Sequence, residues 1–426
     1  MDLHAIRALL LCFVVVASSY GEPSLHISEA VRIYAASEVR GQTFMSDAVM
    51  PVLRESAEKL HVFRTSPHRI GLFSGPLHNP ESTLHYFEPI QKVFTVLPGS
   101  RASYLGIRLA LDHAKAPCYS LRSDAIYGNV YLKNLYDMGG GALLGFLHME
   151  YLLGCRANAP WYPANYTIAL CRSRDIGRTW TFMGDIIGVH NLDFYGACSS
   201  ADTNAIAGNA CNIGGAPYLV VGEHFYVYYN EAGPVPRHPS AVLSERRHCV
   251  ARAPVSEVLA AARLDTPRVT SWEKWDGKGW NGEDGLTGLG AEVLPAPPPR
   301  TGFDMSNDAA FCAPLGEYLL TAHQYVHPVD PPHKDRLVLF RSKDGLRWRL
   351  GPTLFEAETL DRHPTYSCFA SLSDDASADC SIVGTQFTVY FRNMRFEPEH
   401  ADDLPLWRVD VSVVERESPA KAVTPQ

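Results

Sequence analysis

The chain has 426 residues and a formal net charge of −8, with 38 Lys and Arg against 46 Asp and Glu. Because there is no basic surplus to neutralise phosphates, nucleic acid and anionic membranes are excluded as expected partners. Hydrophobic residues make up 46% of the chain and charged residues 20%, which is typical of a globular protein.

The first residues have the pattern of a secretory signal peptide. Arg7 gives a short basic region, residues 8–17 form an apolar run, and small residues at 18–21 precede a cleavage site expected before Glu22. The apolar run is shorter than the roughly 20 residues that span a bilayer. We therefore expect residues 1–21 to be a signal peptide and the protein to be secreted, either extracellular or periplasmic. A buried N-terminal strand is the alternative.

The rest of the chain is dominated by short strands separated by turn residues. A hairpin is predicted at 218–230, where Gly222, Glu223 and His224 divide two β-rich runs. Further strands are predicted at 141–151, 166–172, 318–324, 336–341 and 386–392. Short helices are predicted at 254–263 and, as a second candidate, within 44–60. We expect one domain over residues 22–415, followed by a flexible C-terminal tail at 416–426.

The chain contains ten cysteines, which in an exported protein are read first as disulfides. Two disulfides are predicted between cysteines that are close in sequence and flank a loop: Cys198–Cys211 and Cys368–Cys380. An odd number remains once the signal peptide leaves, and Cys171, inside an apolar run, is expected to stay free. No C-x2-C spacing occurs, and we expect no metal site and no cofactor.

Two segments share a turn motif, and each lies between predicted strands. Residues 173–180 match S-x-D-x-G-x-x-W, and residues 342–348 match the same pattern with one residue fewer. In such a turn, Ser and Asp side chains bond backbone N–H groups, Gly takes a backbone angle that other residues resist, and Trp covers the apolar layer below. The residues given this structural role are Ser173, Asp175, Gly177, Trp180, Ser342, Asp344, Gly345 and Trp348.

These segments resemble the Asp-box of sialidases and related propellers, and the shorter form resembles that of five-bladed arabinanase- and invertase-type glycoside hydrolases. The order of strands between residues 123 and 392 is likewise similar to secreted five-bladed propeller proteins akin to glycoside hydrolase families 43 and 32. The resemblance implies an all-β, five-bladed β-propeller with long loop insertions and one or two short helices. It also implies a carbohydrate substrate or ligand.

Acidic residues on or just before predicted inner strands are the candidates for chemistry. A glycosidase needs two carboxyl groups, one kept protonated and the other ionised. Glu150 lies on an apolar strand, which favours a raised pKa and the general-acid role, and Asp124 or Asp308 would be the ionised base or nucleophile. His148 is two residues before Glu150 on the same predicted strand, so both side chains are expected to point to the same side. The candidate substrate contacts are His148, Tyr151 and Glu231.

Other roles for these residues stay open. Asp124 and Asp308 are also suited to capping turns, and His148 and Glu150 to forming a buried polar pair. Three functions follow: a secreted glycoside hydrolase-like protein that uses carboxylate acid/base chemistry on a poly- or oligosaccharide, a non-catalytic carbohydrate- or protein-binding propeller, or a different hydrolase, lyase or esterase on the same scaffold. In each case we expect a monomer.

Overall fold

Five separate sheets contain all of the strands that the structure describes. The structure is a computed structural model, and it describes residues 21–34, 49–66, 69–96, 129–152, 164–188, 213–232, 246–280, 282–286, 288–299, 301–305, 307–326, 334–394 and 405–416. Neighbouring strands within each sheet are antiparallel except for two short parallel pairs. We number the strands in chain order and the sheets as blades 1 to 5.

Each blade is built mainly from strands that are consecutive in the chain. Blade 1 contains β3 (Val52–Ser56), β4 (Lys59–Ser66), β5 (Arg69–Gly75) and β6 (Thr83–Pro89). Blade 2 contains β7 (Phe94–Val96), β8 (Asn129–Gly139), β9 (Ala142–Leu152), β10 (Ala164–Ser173) and β11 (Trp180–Ile187). Blade 3 contains β12 (Ile213–Val221), β13 (His224–Ala232), β14 (Arg246–Pro254), β15 (Glu273–Lys274) and β16 (Glu283–Asp284).

The last two blades also contain strands from other parts of the chain. Blade 4 contains β17 (Thr301–Asp304), β18 (Ala309–Cys312), β19 (Glu317–Val326), β20 (Arg336–Ser342), β21 (Arg349–Glu356) and β23 (Ile382–Val383). Blade 5 contains β1 (Gly21–Ile27), β2 (Val31–Tyr34), β22 (His363–Ala370), β24 (Gln386–Met394) and β25 (Leu406–Arg416). Because β1 pairs with β25, the two ends of the described chain complete one blade together.

Helices are few and short in the described residues. The longer one, α2 (Val255–Arg263), follows Pro254 and matches the predicted helix at 254–263. A four-residue helix, α1 (Ile90–Val93), and a 3₁₀ turn at Ala313–Leu315 complete the set. The helix predicted within 44–60 is wrong over its described part, because residues 52–56 and 59–66 pair as a hairpin instead. No helix in the described ranges is long and apolar enough to cross a membrane.

The innermost strands of the five blades contact one another in a closed ring, and the strands of a blade are counted outward from it. The order around the ring is β3, β8, β12, β18 and β22, and β22 returns to β3. The buried apolar side chains form five clusters, one between each pair of successive blades. The predicted five-bladed β-propeller is thereby confirmed.

The sequence of β9 is almost continuously apolar because both faces of this strand are buried. Leu144 and Phe146 point to the cluster shared with blade 3, whereas Leu143, Leu147 and Met149 point to the cluster shared with blade 1. Alternate side chains of a strand face opposite sides of its sheet. Both faces of a blade are covered by neighbouring blades, so both sets of positions must be apolar.

The two turn segments join β10 to β11 in blade 2 and β20 to β21 in blade 4. In the first, the N–H of Gly177 donates to Ser173 Oγ at 2.8 Å and the N–H of Thr179 donates to Asp175 Oδ1 at 2.8 Å. Trp180, at the end of that turn, is buried and its ring contacts Phe63 of blade 1. The second turn repeats the arrangement, with Trp348 packed against Tyr228 of blade 3. Each turn therefore fixes a Trp at the boundary with the preceding blade.

An insertion at residues 371–385 lies at one end of the central channel, against the ends of the innermost strands. The backbone N–H of Arg54 in blade 1 donates to the carbonyl of Ala378, and that of Asp137 in blade 2 donates to Asp379 Oδ2 at 2.9 Å. Tyr218 of blade 3 donates its hydroxyl to the same carboxylate at 3.3 Å. Since β23 pairs with blade 4 and the insertion joins two strands of blade 5, this segment, which we call the plug, contacts all five blades.

The cysteine pairing differs from the prediction. Five buried cysteines are free thiols in the described part of the chain: Cys171, Cys249, Cys312, Cys368 and Cys380. The first of these is the residue expected to stay free. The predicted Cys368–Cys380 bridge is wrong, because Cys380 Sγ is held against the backbone of Ser371, whose N–H lies 3.3 Å from it. Burial raises the pKa of the Cys380 thiol to about 12. Cys198 and Cys211 lie outside the described residues.

Candidate functional site

Every innermost strand is irregular where it pairs with the second strand of its blade. The breaks in register lie at Arg54/Ser56, Leu132/Asn134, Gly215/Tyr218 and Thr365/Cys368, and in blade 4 the innermost strand is split into β17 and β18. A bulge leaves an extra residue on one strand and re-aims its side chain, and bulges are common beside active sites. Because these irregularities all lie on the innermost strands, the wall of the channel is the candidate location of a functional site.

Blade 2 provides the first of these re-aimed side chains. From Leu132 to Asn134 the strand advances by two residues, while its partner advances by one, from Leu147 to Phe146. The extra residue is Lys133. Its side chain is 3% exposed, so its ammonium group is held inside the propeller.

Blade 5 provides the second re-aimed side chain, that of Tyr366. Tyr366 follows Thr365 at the break in β22 and has a backbone φ of 53°. A bulky residue rarely adopts a positive φ, and such strain persists only where the surrounding structure enforces it. Strained residues of this kind cluster at functional sites.

Lys133 and Tyr366 meet inside the ring of blades. The Lys133 ammonium lies 5.1 Å from the centroid of the Tyr366 ring and 5.4 Å from that of Tyr131. Distances below about 6 Å are those of a cation–π contact. Blades 2 and 5 are not neighbours, so this contact reaches past blade 1 within the channel. We call Tyr131, Lys133 and Tyr366 the channel site.

His148 joins the channel site through the second strand of blade 2. It pairs with Tyr131 in the ladder, its ring lies 6.0 Å from the Tyr131 ring and 5.1 Å from the Tyr166 ring, and it is 6% exposed. The backbone of Glu150 is placed two residues further along β9, opposite Asn129 and Tyr166. Strand alternation thus puts the positions of His148 and Glu150 on one side of the sheet.

Two of the predicted site residues cannot be placed in the same way. Asp124 lies outside the described residues. Tyr151 is described only as a backbone position of β9, paired with Asn165.

Asp308 occupies the break between β17 and β18, and it is buried. Its Oδ1 accepts the backbone N–H of Ala309 at 2.8 Å, and its Oδ2 accepts that of Phe369 in blade 5 at 2.9 Å. Burial raises the pKa of Asp308 to about 7, with Asp379 adding to the rise, although the two N–H donors oppose it. Asp308 therefore links blades 4 and 5 and retains its proton below about pH 7. An ionised base needs the opposite protonation state.

This raised pKa predicts a specific dependence of stability on pH. Between about pH 4 and pH 7 the folded state holds a proton on Asp308 that the unfolded state has lost, so the free energy of unfolding falls as pH rises, by up to about 1.4 kcal/mol per pH unit. Asp308→Asn is expected to flatten this slope. Urea unfolding of both proteins from pH 4 to pH 8 measures it, and equal slopes would contradict the placement of this carboxyl.

Glu231 is also buried, at 1% exposure, inside blade 3. Its Oε1 lies 3.2 Å from the Lys274 ammonium, and its Oε2 accepts the N–H of Gly290 at 2.9 Å. These bonds join the second strand of the blade to its outer strands. Contact with a substrate, as predicted from sequence, would require this pair to open.

A cavity of about 650 Å³ lies beside the plug. It is bounded by the plug and by strands of blade 5, and its polar lining includes His26, Ser371, Arg408 and Asp410. None of the channel-site residues lines it. The cavity and the channel site are therefore separate places.

Comparisons with known proteins give similarity in structure only. No family model and no curated protein matches the chain. Among solved structures, a Dyadobacter fermentans protein of unknown function has 12% identity and a TM-score of 0.43, covering 92% of this chain and 99% of that one. The catalytic domain of the Coprinopsis cinerea GH62 α-L-arabinofuranosidase has 10% identity and a TM-score of 0.43, covering 92% and 98%.

A third similar structure is the Penicillium chrysogenum α-L-arabinanase complexed with arabinobiose, with 12% identity and a TM-score of 0.40, covering 92% of this chain and 98% of that one. Similarity at this level does not establish a shared activity. The propeller assignment rests on the strand pairing and the five clusters between blades.

Proposed function

We propose that this protein is a secreted glycoside hydrolase-like propeller that binds a poly- or oligosaccharide in the central channel. The observation that carries the proposal is the channel site, in which Lys133 lies between the rings of Tyr131 and Tyr366. Ligand sites are typically concave and aromatic, with a few polar groups that fix orientation. The half-buried Tyr366 ring offers a face to a sugar ring, and the Lys133 ammonium beside it can donate to a hydroxyl oxygen. Tyr131 is 2% exposed and packs against the ammonium from within the blade.

The proposed chemistry is hydrolysis of a glycosidic bond with Glu150 as the general acid. Its support is the position of Glu150 on β9, two residues from His148, which packs against Tyr131 of the channel site. Asp124 remains the proposed base or nucleophile. Asp308 is proposed to act by holding blades 4 and 5 in register, because it carries its proton in the pH range where a base must be ionised.

One observation favours the second candidate, a propeller that binds carbohydrate without cleaving it. Both carboxyl oxygens of Asp308 are already bonded to backbone N–H groups, which leaves one fewer acid for catalysis. The two candidates share the channel site and differ only in the release of reducing ends from a bound glycan.

A panel of soluble polysaccharides tests the proposal, with binding and reducing-end release measured on the same samples. Lys133→Met keeps the apolar stem and removes the charged donor. A hydrogen bond from a charged group is worth about 1.5–3 kcal/mol, so the affinity for the bound glycan is expected to fall by about 10- to 100-fold.

The matched control is Lys92→Met, at an ammonium of α1 whose side chain is 69% exposed. It is expected to bind as the wild type does. Wild-type affinity in Lys133→Met, or failure of the wild type to bind any glycan of the panel, would contradict the proposal.

A further inference from the structure

Two histidines and an aspartate from separate segments meet between blades 4 and 5. His323 lies near the end of β19, Asp335 directly precedes β20, and His363 begins β22. Asp335 Oδ2 accepts hydrogen bonds from His323 Nε2 at 2.7 Å and from His363 Nδ1 at 2.6 Å. One nitrogen or oxygen atom from each residue lies within 4.8 Å of the other two.

These residue types are ligands for divalent transition metals. Zn²⁺ binds imidazole nitrogen and carboxylate oxygen at about 2.0–2.2 Å, and ligand atoms at that distance in tetrahedral geometry are about 3.3 Å from one another. The potential ligand atoms of the cluster are separated by distances between 2.6 Å and 4.8 Å, a range that includes 3.3 Å. Side-chain movements of less than about 1 Å would accommodate the ion.

The three side chains of the cluster differ in burial. His323 and Asp335 are buried, at 7% and 6% exposure, and the His363 side chain is 24% exposed. The carbonyl of Asp335 accepts the N–H of Ala357 at 2.8 Å, which anchors the carboxylate to the outer strand of blade 4. Of the three side chains, that of His363 is the most exposed.

We propose that His323, Asp335 and His363 bind one divalent transition-metal ion of the Zn²⁺ class. Three protein ligands leave a fourth position for water, which is the coordination of catalytic rather than purely structural zinc sites. The ion would also join two blades, because its ligands come from β19, the start of β20 and β22. The site is independent of the glycan function proposed above.

Metal content and metal affinity of the whole protein test the proposal. Protein treated with a chelator is titrated with Zn²⁺ and, in parallel, with Co²⁺, whose visible spectrum reports ligand binding. The wild type is expected to bind one ion per chain and to gain thermal stability on binding. His363→Gln and Asp335→Asn are each expected to weaken Zn²⁺ binding at least 10-fold and to abolish the Co²⁺ bands.

His248→Gln is the matched control, because His248 is also buried and bonded to a carboxylate, Glu292 Oε1, at 2.9 Å, but its second nitrogen faces the carbonyl of Phe303. It should keep full metal stoichiometry. The proposal is overturned if the wild type binds no ion at micromolar Zn²⁺, which would leave a purely hydrogen-bonded triad. It is also overturned if both ligand variants bind as tightly as the wild type. If one variant fails to fold, the stoichiometry of the wild type and of the other variant decides.

Discussion

Glu150→Gln is expected to lower kcat on a cleaved glycan by about 10²- to 10⁴-fold while leaving binding largely unchanged. Gln keeps the size of the side chain and most of its hydrogen bonds, but it cannot donate a proton to the leaving group, and positioned acid–base catalysis is worth this factor. Initial rates of reducing-end release, together with the dissociation constant of an uncleaved oligosaccharide, separate the two effects.

The control for this substitution is Glu223→Gln, at the exposed turn between β12 and β13. It should retain wild-type kcat. His148→Ala should lower activity less than Glu150→Gln, because His148 is expected to tune or position the acid rather than to supply the proton. Unchanged activity in Glu150→Gln would remove Glu150 from the mechanism.

The largest expected loss of stability follows from breaking the buried ion pair of blade 3. Lys274 is fully buried, and its ammonium donates to the carbonyls of Gly188 at 2.8 Å and Gly288 at 2.6 Å as well as to Glu231. Lys274→Met would leave the Glu231 carboxylate buried without its counter-ion, which typically costs about 3–5 kcal/mol. Urea unfolding at pH 7 measures this loss.

Two comparisons show whether the loss comes from the uncompensated charge. Lys274→Met/Glu231→Leu removes both charges, and it should be more stable than Lys274→Met alone. Arg336→Met breaks a pair with Glu356 in which both side chains are nearly half exposed, and it should cost less than about 1 kcal/mol. Equal losses for the buried and the exposed pair would contradict the account.

The fold could be predicted because its signals are local. The turn at Gly222 and Glu223 lies between two β-rich runs, and the structure places β12 and β13 on either side of it. The Ser, Asp and Gly residues of the two turn segments bond to groups within a few residues of themselves. Information of this kind is contained in a short stretch of sequence.

The candidate site depends on contacts that no local pattern contains. Lys133 and Tyr366 are more than 200 residues apart, and each faces the channel because of a break in register, which the residue types do not indicate. His323 and His363 likewise lie 12 and 28 residues from Asp335, and strand pairing and the next blade bring the three together. For Cys368 and Cys380 the short spacing was misleading, because proximity in sequence does not orient the two sulfur atoms.

We propose that glycan binds in the channel against Tyr366 and Lys133. A crystal structure of the protein soaked with an oligosaccharide from the panel tests it most directly. We expect a sugar ring stacked on Tyr366, with a hydroxyl within hydrogen-bond distance of Lys133 Nζ. A sugar bound instead in the cavity beside Arg408 and Asp410, with the channel free of ligand, would contradict it.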